Sequence, residues 1–334
     1  MTTYFSLGVA TALTLLAASL WGSWMQVIKH IKKYPVTGLA FWLYSFSFIF
    51  VWLVSIILSP FLLKDGIIET TLANTRPILE IIMGGALMSI GLFISLTVMK
   101  QIGLLLSTAI SGAVGSMLGI GTSILKEGMP DFPMAVPLII TSTIVFLAAG
   151  FLCNYAAQMC SVDKAREKGI TLVHSKGPVS LRIIFLMVLN AILTNGWSIG
   201  TATGTANKIP PILTCAYMAT GSFLSVFIVC GIYFTKKKLW KTVFCVGTSK
   251  KPLMYGLISS LCHYGGNMIS IYSMPGLTAT LSFLYGRSAS VWTYFWGLYY
   301  KEFSGAKKKT MAVLITGIVL YFVGMALIGI FTLS

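Results

Sequence analysis

"GLLLSTAISGAVGSMLGIGTSILKE", Gly103 to Glu127, is an apolar run rich in small residues that meets its first charges at Lys126 and Glu127. Downstream, "GLTATLSFLYGRSASVWTYFWGLYYKE", Gly276 to Glu302, follows the same plan of a Gly-Leu start, a long membrane-compatible run and a Lys-Glu close. Each run leads on to "MAV" and another apolar helix, "MAVPLIITSTIVFLAAGFL" from Met134 and "MAVLITGIVLYFVGMALIGI" from Met311. A helix rises 1.5 Å per residue, so about 20 residues cross the roughly 30 Å hydrocarbon core of a bilayer. Both runs therefore read as transmembrane helices, and their likeness reads as an internal repeat.

The rest of the chain agrees. It has 334 residues, 56% of them hydrophobic and 10% charged, with a mean hydropathy of +0.87. One soluble core cannot enclose that much apolar side chain, so the bilayer acts as its solvent. Ten apolar stretches follow one another near 5–28, 36–63, 78–99, 102–125, 134–158, 183–205, 211–234, 253–274, 276–299 and 311–332, numbered here as spans 1 to 10. Uninterrupted runs of this kind exclude the short alternating strands of a membrane barrel. The opening "MTTYFS" has no Lys or Arg and its apolar run is long for a signal peptide, so span 1 is expected to persist as a helix. Five spans per half bring the second half into the membrane from the opposite side, the inverted-repeat design of many alternating-access transporters. The expected fold is an all-α integral membrane protein of ten transmembrane helices in two inverted five-helix repeats. Residues 1–160 form the first repeat and 183–334 the second, with 161–182 as a cytoplasmic connector and the whole as one membrane domain. Spans 1 and 6 match more loosely, through "LWGSWM" and "LTNGWSI".

The net charge of +16 has a topological explanation. Of the 24 Lys and Arg residues, 19 fall beside the loops that follow spans 1, 3, 5, 7 and 9, and four fall on the other side. The positive-inside rule then makes the first set cytoplasmic and places both termini outside the cytoplasm, in a multi-pass protein of the cell membrane. Nucleic acid is not an expected partner, because the charges sit in short loops rather than on one soluble face. The six cysteines show no paired extracellular spacing and the three histidines lie far apart, so neither a metal site nor a cofactor is expected.

On these features the sequence resembles the drug/metabolite transporter superfamily. The resemblance covers nearly the whole chain: the five-plus-five arrangement, the Trp-Gly pair of span 1 at Trp21 and Gly22, and the glutamates closing spans 4 and 9, Glu127 and Glu302. The outside N-terminus and the basic "KHIKKYP" after span 1 look most like the rhamnose/glucose-uptake and ureide-permease branches. The resemblance implies secondary transport of a small polar solute, often coupled to a proton or another cation, with no covalent catalysis.

Polar groups at bilayer depth are costly unless partnered, so the functional residues are sought there first. Span 8 carries Ser260, His263, Asn267 and Ser270 on one helical face, and span 9 carries Thr280, Arg287, Ser290 and Tyr294 with the same periodicity. Span 6 adds Asn190, Thr194, Trp197 and Thr201, with Asn195 beside them. Together with Trp21, these residues predict a polar, aromatic-lined cavity among spans 1, 3, 6, 8 and 9. The substrate-binding candidates are Trp21, Asn195, Trp197, His263, Asn267, Arg287 and Ser290. His263 and Glu80 are the proton-coupling candidates, since imidazole titrates near neutrality and proton-coupled carriers use membrane carboxylates. Each has a plainer alternative: His263 as a satisfied hydrogen-bonding group, Glu80 as a favourable charge at a helix N-terminus, Arg287 as a bundle-holding donor. Trp24, close to the basic end of span 1, reads as an interfacial anchor. Ser111, Gly115, Gly119 and Ser123 recur every four residues on span 4, a spacing for close helix packing, a gate hinge or the face of a homodimer.

The expected function is secondary active transport of a small polar solute by alternating access, most simply uptake of a sugar or sugar-like compound with a proton. Export or exchange of an anionic or nucleotide-linked metabolite is the alternative, and it turns on Arg287, whose guanidinium suits a carboxylate or phosphate. An enzyme is not expected, because no paired carboxylates, His/Asp pair or metal cluster faces a common cavity.

Overall fold

The computed structural model describes residues 4–31, 33–102, 104–131, 134–167 and 181–333. Its helices in chain order are α1 (Leu7–Ser23), continued by a 3-10 segment (Trp24–His30), α2 (Val36–Leu62), α3 (Gly66–Ala73), α4 (Thr75–Ile102), α5 (Leu104–Glu127), α6 (Ala135–Glu167) and α7 (Leu181–Thr194). They continue with α8 (Gly196–Ala206), α9 (Pro211–Lys237), α10 (Trp240–Val243), α11 (Lys251–Leu277), α12 (Ala279–Gly286), α13 (Ala289–Tyr299) and α14 (Lys308–Leu333). No strand occurs among the described residues.

Seven stretches among the described residues are long and apolar enough to cross a membrane: Leu7–His30, Val36–Leu62, Thr75–Ser95, Ala135–Glu167, Leu181–Ala206, Pro211–Lys237 and Lys308–Gly329. They coincide with spans 1, 2, 3, 5, 6, 7 and 10. Apolar side chains such as Ile49, Leu53 and Ile56 on α2, and Ile140, Ile144 and Phe151 on α6, stand more than half exposed on outer faces. Patches of that kind are stable against lipid rather than water. The chain is thus an all-helical, multi-pass membrane protein. The sequence predicts ten spans, and α5, α11 and the pair α12 and α13 stand where spans 4, 8 and 9 are expected. α11 has the length, 27 residues, but Ser259, Ser260, His263, Asn267, Ser270 and Ser273 dilute its hydropathy. Span 9 is interrupted at Arg287 and Ser288, where the ladder tightens to bonds three residues apart. Span 6 is divided at Asn195, between α7 and α8, but keeps four-residue bonds on either side of it.

The helices pack in a few dominant pairs. α6 lies along α14, α4 packs against α9 and against α7 and α8, and α11 packs against α1 and α2. α2 also packs on α9, α5 on α7 and α8, and α1 on α12 and α13. Glycines set the closest approaches. A Cβ at Gly221 of α9 would collide with the carbonyl oxygen of Ile82, and one at Gly85 of α4 with that of Met218. A Cβ at Gly84 would stand 2.6 Å from the carbonyl oxygen of Gly196. The small-residue stripe read on span 4 divides. Gly119 abuts the Phe283 ring and Ser123 is buried, whereas Gly115 meets nothing within 4 Å. The side chain of Ser111 lies outside the described residues. α6 continues to Glu167, past residue 160, and positions 168–180 of the connector lie outside the described residues.

Candidate functional site

α11 presents His263 and Asn267 on one face, four residues apart. Trp21, near the end of α1, donates its indole N–H to Asn267 Oδ1 at 2.8 Å. Its ring meets Trp197 of α8 edge-on, with centroids 5.6 Å apart and planes at 82°. Glycines admit the indole between α11 and α12: a Cβ at Gly266 would come within 2.8 Å of Trp21 Nε1, and one at Gly286 within 3.0 Å of the ring. Asn267 is 2% exposed, and its Nδ2 has no hydrogen-bond partner among the described residues. One turn away, His263 is surrounded by Trp24, Tyr264 and Tyr44, with centroids at 5.1, 5.5 and 5.9 Å. Both imidazole nitrogens are shielded and unpartnered among the described residues. The arrangement combines aromatic rings with an amide and an imidazole of fixed direction, groups that can hydrogen-bond and stack.

The other candidates lie apart from this cluster. Asn195, at the break between α7 and α8, donates from Nδ2 to Thr122 Oγ1 of α5 at 2.8 Å. Arg287, at the break between α12 and α13, faces Ile120, Thr143 and Phe146, on α5 and α6. Tyr321 of α14 lies beside it and shares a hydrogen bond with Ser290. Glu80 accepts from Lys126 Nζ at 2.9 Å and from Thr203 Oγ1 at 3.2 Å, with Arg76 at 3.9 Å, and so ties α4 to α5 and α8. The structure therefore brings together Trp21, Trp197, His263 and Asn267. It places Asn195, Arg287, Ser290 and Glu80 at other helix contacts.

Trp24, which the sequence reads as an interfacial anchor, also belongs to this cluster. It packs on His263, and its carbonyl accepts from Ser259 Oγ at 2.6 Å. Depth along a helix axis does not say which neighbour covers a face, and here α11 covers the end of span 1. Tyr44 is the second ring that sequence reasoning missed, being one aromatic among many in "FWLYSFSFIF".

Two cavities lie at the two ends of α11. The first, of about 350 Å³, is a vestibule lined by Lys126, Glu127, Asp131, Lys208, Met274 and Thr278 among others. Met274 packs with Ala202, Ala279 and Trp197, and it stands seven residues, about 10 Å of helix rise, from Asn267. The vestibule thus approaches the aromatic cluster. Thr278 has φ of 81°, a positive-φ conformation costly for a β-branched residue. At the other end, span 1 is fastened to span 9. Lys29 pairs with Glu302 at 2.8 Å, His30 bonds Tyr300 Oη at 3.1 Å, and Trp296 Nε1 donates to Ser23 Oγ at 2.7 Å.

Glu127, just past the expected end of span 4, is more than a boundary residue. Its Oε2 accepts the Ala279 N–H at 2.8 Å, placing a carboxylate of the first half on the positive N-terminus of α12 in the second. Burial pushes its carboxyl above the ordinary carboxylate range, opposed by the Ala279 amide and the Thr205 hydroxyl. With the folded-state pKa raised, the contribution of Glu127 to stability is fully present below the unfolded-state pKa and is lost as pH rises through the folded value. Glu127→Gln keeps the shape and the acceptor, so it is expected to unfold at a higher temperature than the wild type at pH 7. Below about pH 4 the two proteins should coincide. Thermal unfolding in detergent at both pH values measures this. A glutamine variant less stable at pH 7 would mean that the charge on α12 outweighs its burial.

No protein-family model matches the chain, and no curated protein matches it.

Proposed function

We propose that the chain is a secondary active transporter of the drug/metabolite type that takes up a small neutral polar solute, a sugar or sugar-like compound, together with a proton. The observation that carries this reading is the cluster of Trp21, Trp197, His263 and Asn267, in which buried polar groups without hydrogen-bond partners among the described residues lie against aromatic rings below a vestibule. Buried polar groups are nearly always paired, and in this reading a passing solute is what pairs them. Of the two proton-coupling candidates only His263 lies in this cluster, Glu80 being engaged by Lys126, Thr203 and Arg76. Binding and translocation involve no covalent step and no cofactor.

The ten-span, two-repeat architecture belongs to the same proposal and has independent support. When each span number is shifted by five, the main packing pairs exchange: 1 with 8 becomes 6 with 3, 3 with 7 becomes 8 with 2, and 1 with 9 becomes 6 with 4. The pairs 2 with 7, 5 with 10 and 4 with 9 map onto themselves. Inverted repeats give that symmetry and site the substrate between the halves. The distribution of 19 positive residues against four supports termini outside the cytoplasm. Arg287, on which transport of an anionic compound would turn, faces α5 and α6 rather than the aromatic cluster, and the neutral reading is therefore preferred.

A thermal-shift screen of purified protein against neutral sugars, ureides, nucleosides and organic acids tests the substrate class, since a ligand of the native state raises its apparent stability. Neutral hits are expected. In proteoliposomes, an inward proton gradient should then drive accumulation of the hit, and a protonophore should abolish it. Hits confined to anions would overturn the proposal.

A further inference from the structure

The second cavity, at the lysine-rich end of α11, is a cleft of about 690 Å³. Lys29, His30 and Lys33 line it from the tail of span 1, Lys251 from the first residue of α11, and Thr242 and Ser249 from the chain between α9 and α11. No carboxylate lines it. Like charges gathered at one cleft repel unless an anion joins them, and the N-terminus of α11 adds the positive end of a 27-residue helix.

The walls are held in place before any ligand arrives. Tyr34 Oη and Trp42 Nε1 both donate to the Val243 carbonyl, at 2.7 and 2.9 Å, pinning the connection between α9 and α11 onto α2. Lys250 Nζ donates to the Phe244 carbonyl at 3.0 Å. His30 stacks on Tyr255, with centroids 5.4 Å apart and planes at 10°. Ile31 and Cys245 are buried beneath the cleft, and Phe244 and Val246, 42% and 59% exposed, stand on the same connection.

We infer that this cleft binds a phosphate-bearing anion. The ammonium groups of Lys33 and Lys251, beside that of Lys29, which Glu302 already holds, and the hydroxyls of Thr242, Thr248 and Ser249 match the charge and the acceptor oxygens of phosphate. Two sources share that chemistry. One is the headgroup of an anionic phospholipid, whose chains the exposed Phe244 and Val246 would meet. The other is a soluble phosphorylated solute. The inference does not depend on transport, so it stands or falls separately from the function proposed above.

The test uses the full chain in detergent, with thermal unfolding followed during titration of short-chain phosphatidylglycerol, phosphatidylcholine or inorganic pyrophosphate. The cleft variant is Lys33→Gln with Lys251→Gln. The control, Lys236→Gln with Lys237→Gln, removes equal charge from the end of α9, outside the cleft. Phosphatidylglycerol or pyrophosphate is expected to raise the unfolding temperature of the wild type and the control. The cleft variant should need about thirtyfold more ligand for the same shift, at the usual strength of a lysine near a phosphate surface. A response to phosphatidylglycerol alone identifies a lipid, and a response to pyrophosphate alone identifies a soluble phosphate. Both altered lysines are exposed, so the fold should survive; Lys33→Gln alone, with about a fivefold effect, gives a second measurement. The inference is overturned if cleft and control variants respond alike, if phosphatidylcholine acts as strongly as phosphatidylglycerol, or if neither anion shifts the wild type.

Discussion

Gly221→Ala is expected to lower the stability of the protein by about 3 kcal/mol, at the upper end of the usual cost of overpacking. The added methyl would meet the Ile82 carbonyl oxygen and come within 3.0 Å of the Ala86 nitrogen, both on α4. These are backbone atoms of a helix that is itself held against α7, α8 and α9. No side chain can rotate away, so one helix must shift. Gly231 of the same α9 is the internal control, since a Cβ there meets nothing within 4 Å. Gly231→Ala should leave the unfolding temperature unchanged or slightly raised, because alanine favours helix over glycine by up to about 1 kcal/mol. Thermal unfolding of the two variants in one detergent decides the matter. Equal unfolding temperatures would mean that α4 and α9 are not packed as closely as described.

On the transport function proposed above, Asn267→Leu should reduce uptake by one to two orders of magnitude, roughly the free energy of losing buried hydrogen bonds. Leucine has the same number and branching of side-chain heavy atoms as asparagine, so it is the apolar replacement that changes the shape of the site among α1, α8 and α11 least. What disappears is the acceptor for Trp21 Nε1, together with the Nδ2 donor that has no partner among the described residues. Trp21→Phe is the complementary change: it removes the indole N–H but leaves Nδ2 in place, and its effect should be the smaller. Initial uptake rates in proteoliposomes, normalised to folded protein, and the ligand-induced shift in unfolding temperature should fall together in both variants. An Asn267→Leu protein that takes up solute at the wild-type rate would remove this cluster from the transport path.

The membrane class of the fold was legible because it depends on additive properties. Length and apolarity are carried by each residue of a span, and seven spans satisfy both. The aromatic cluster was legible in part. The three-to-four-residue spacing of His263 and Asn267 puts them on one inner face wherever α11 lies. Trp21 could be paired with Trp197 only through an approximate likeness between the halves. Direction across a helix was not legible. Arg287 follows Gly286, which abuts Trp21, yet its own side chain turns toward α5 and α6. The tightened turn that ends α12 does have local signals in "YGRSAS", namely Gly286 and the Ser288 hydroxyl, which donates to the Tyr285 carbonyl at 2.7 Å. The contact of Glu127 was not legible, since its partner, the Ala279 amide, is 152 residues away.

Lys29 belongs to two structures at once. It is the cationic half of the pair with Glu302 that fastens span 1 to span 9, and it lines the basic cleft. Its ammonium also lies 4.1 Å from the centre of the Tyr300 ring, on the same side as the fastening. An anion that draws this group into the cleft weakens its hold on Glu302, and release of Glu302 frees the group for the anion. The two events are thermodynamically linked, and linkage is reciprocal by necessity. If the cleft binds an anion as inferred above, its occupancy and the separation of the two spans favour each other to the same degree, because one ammonium group serves both.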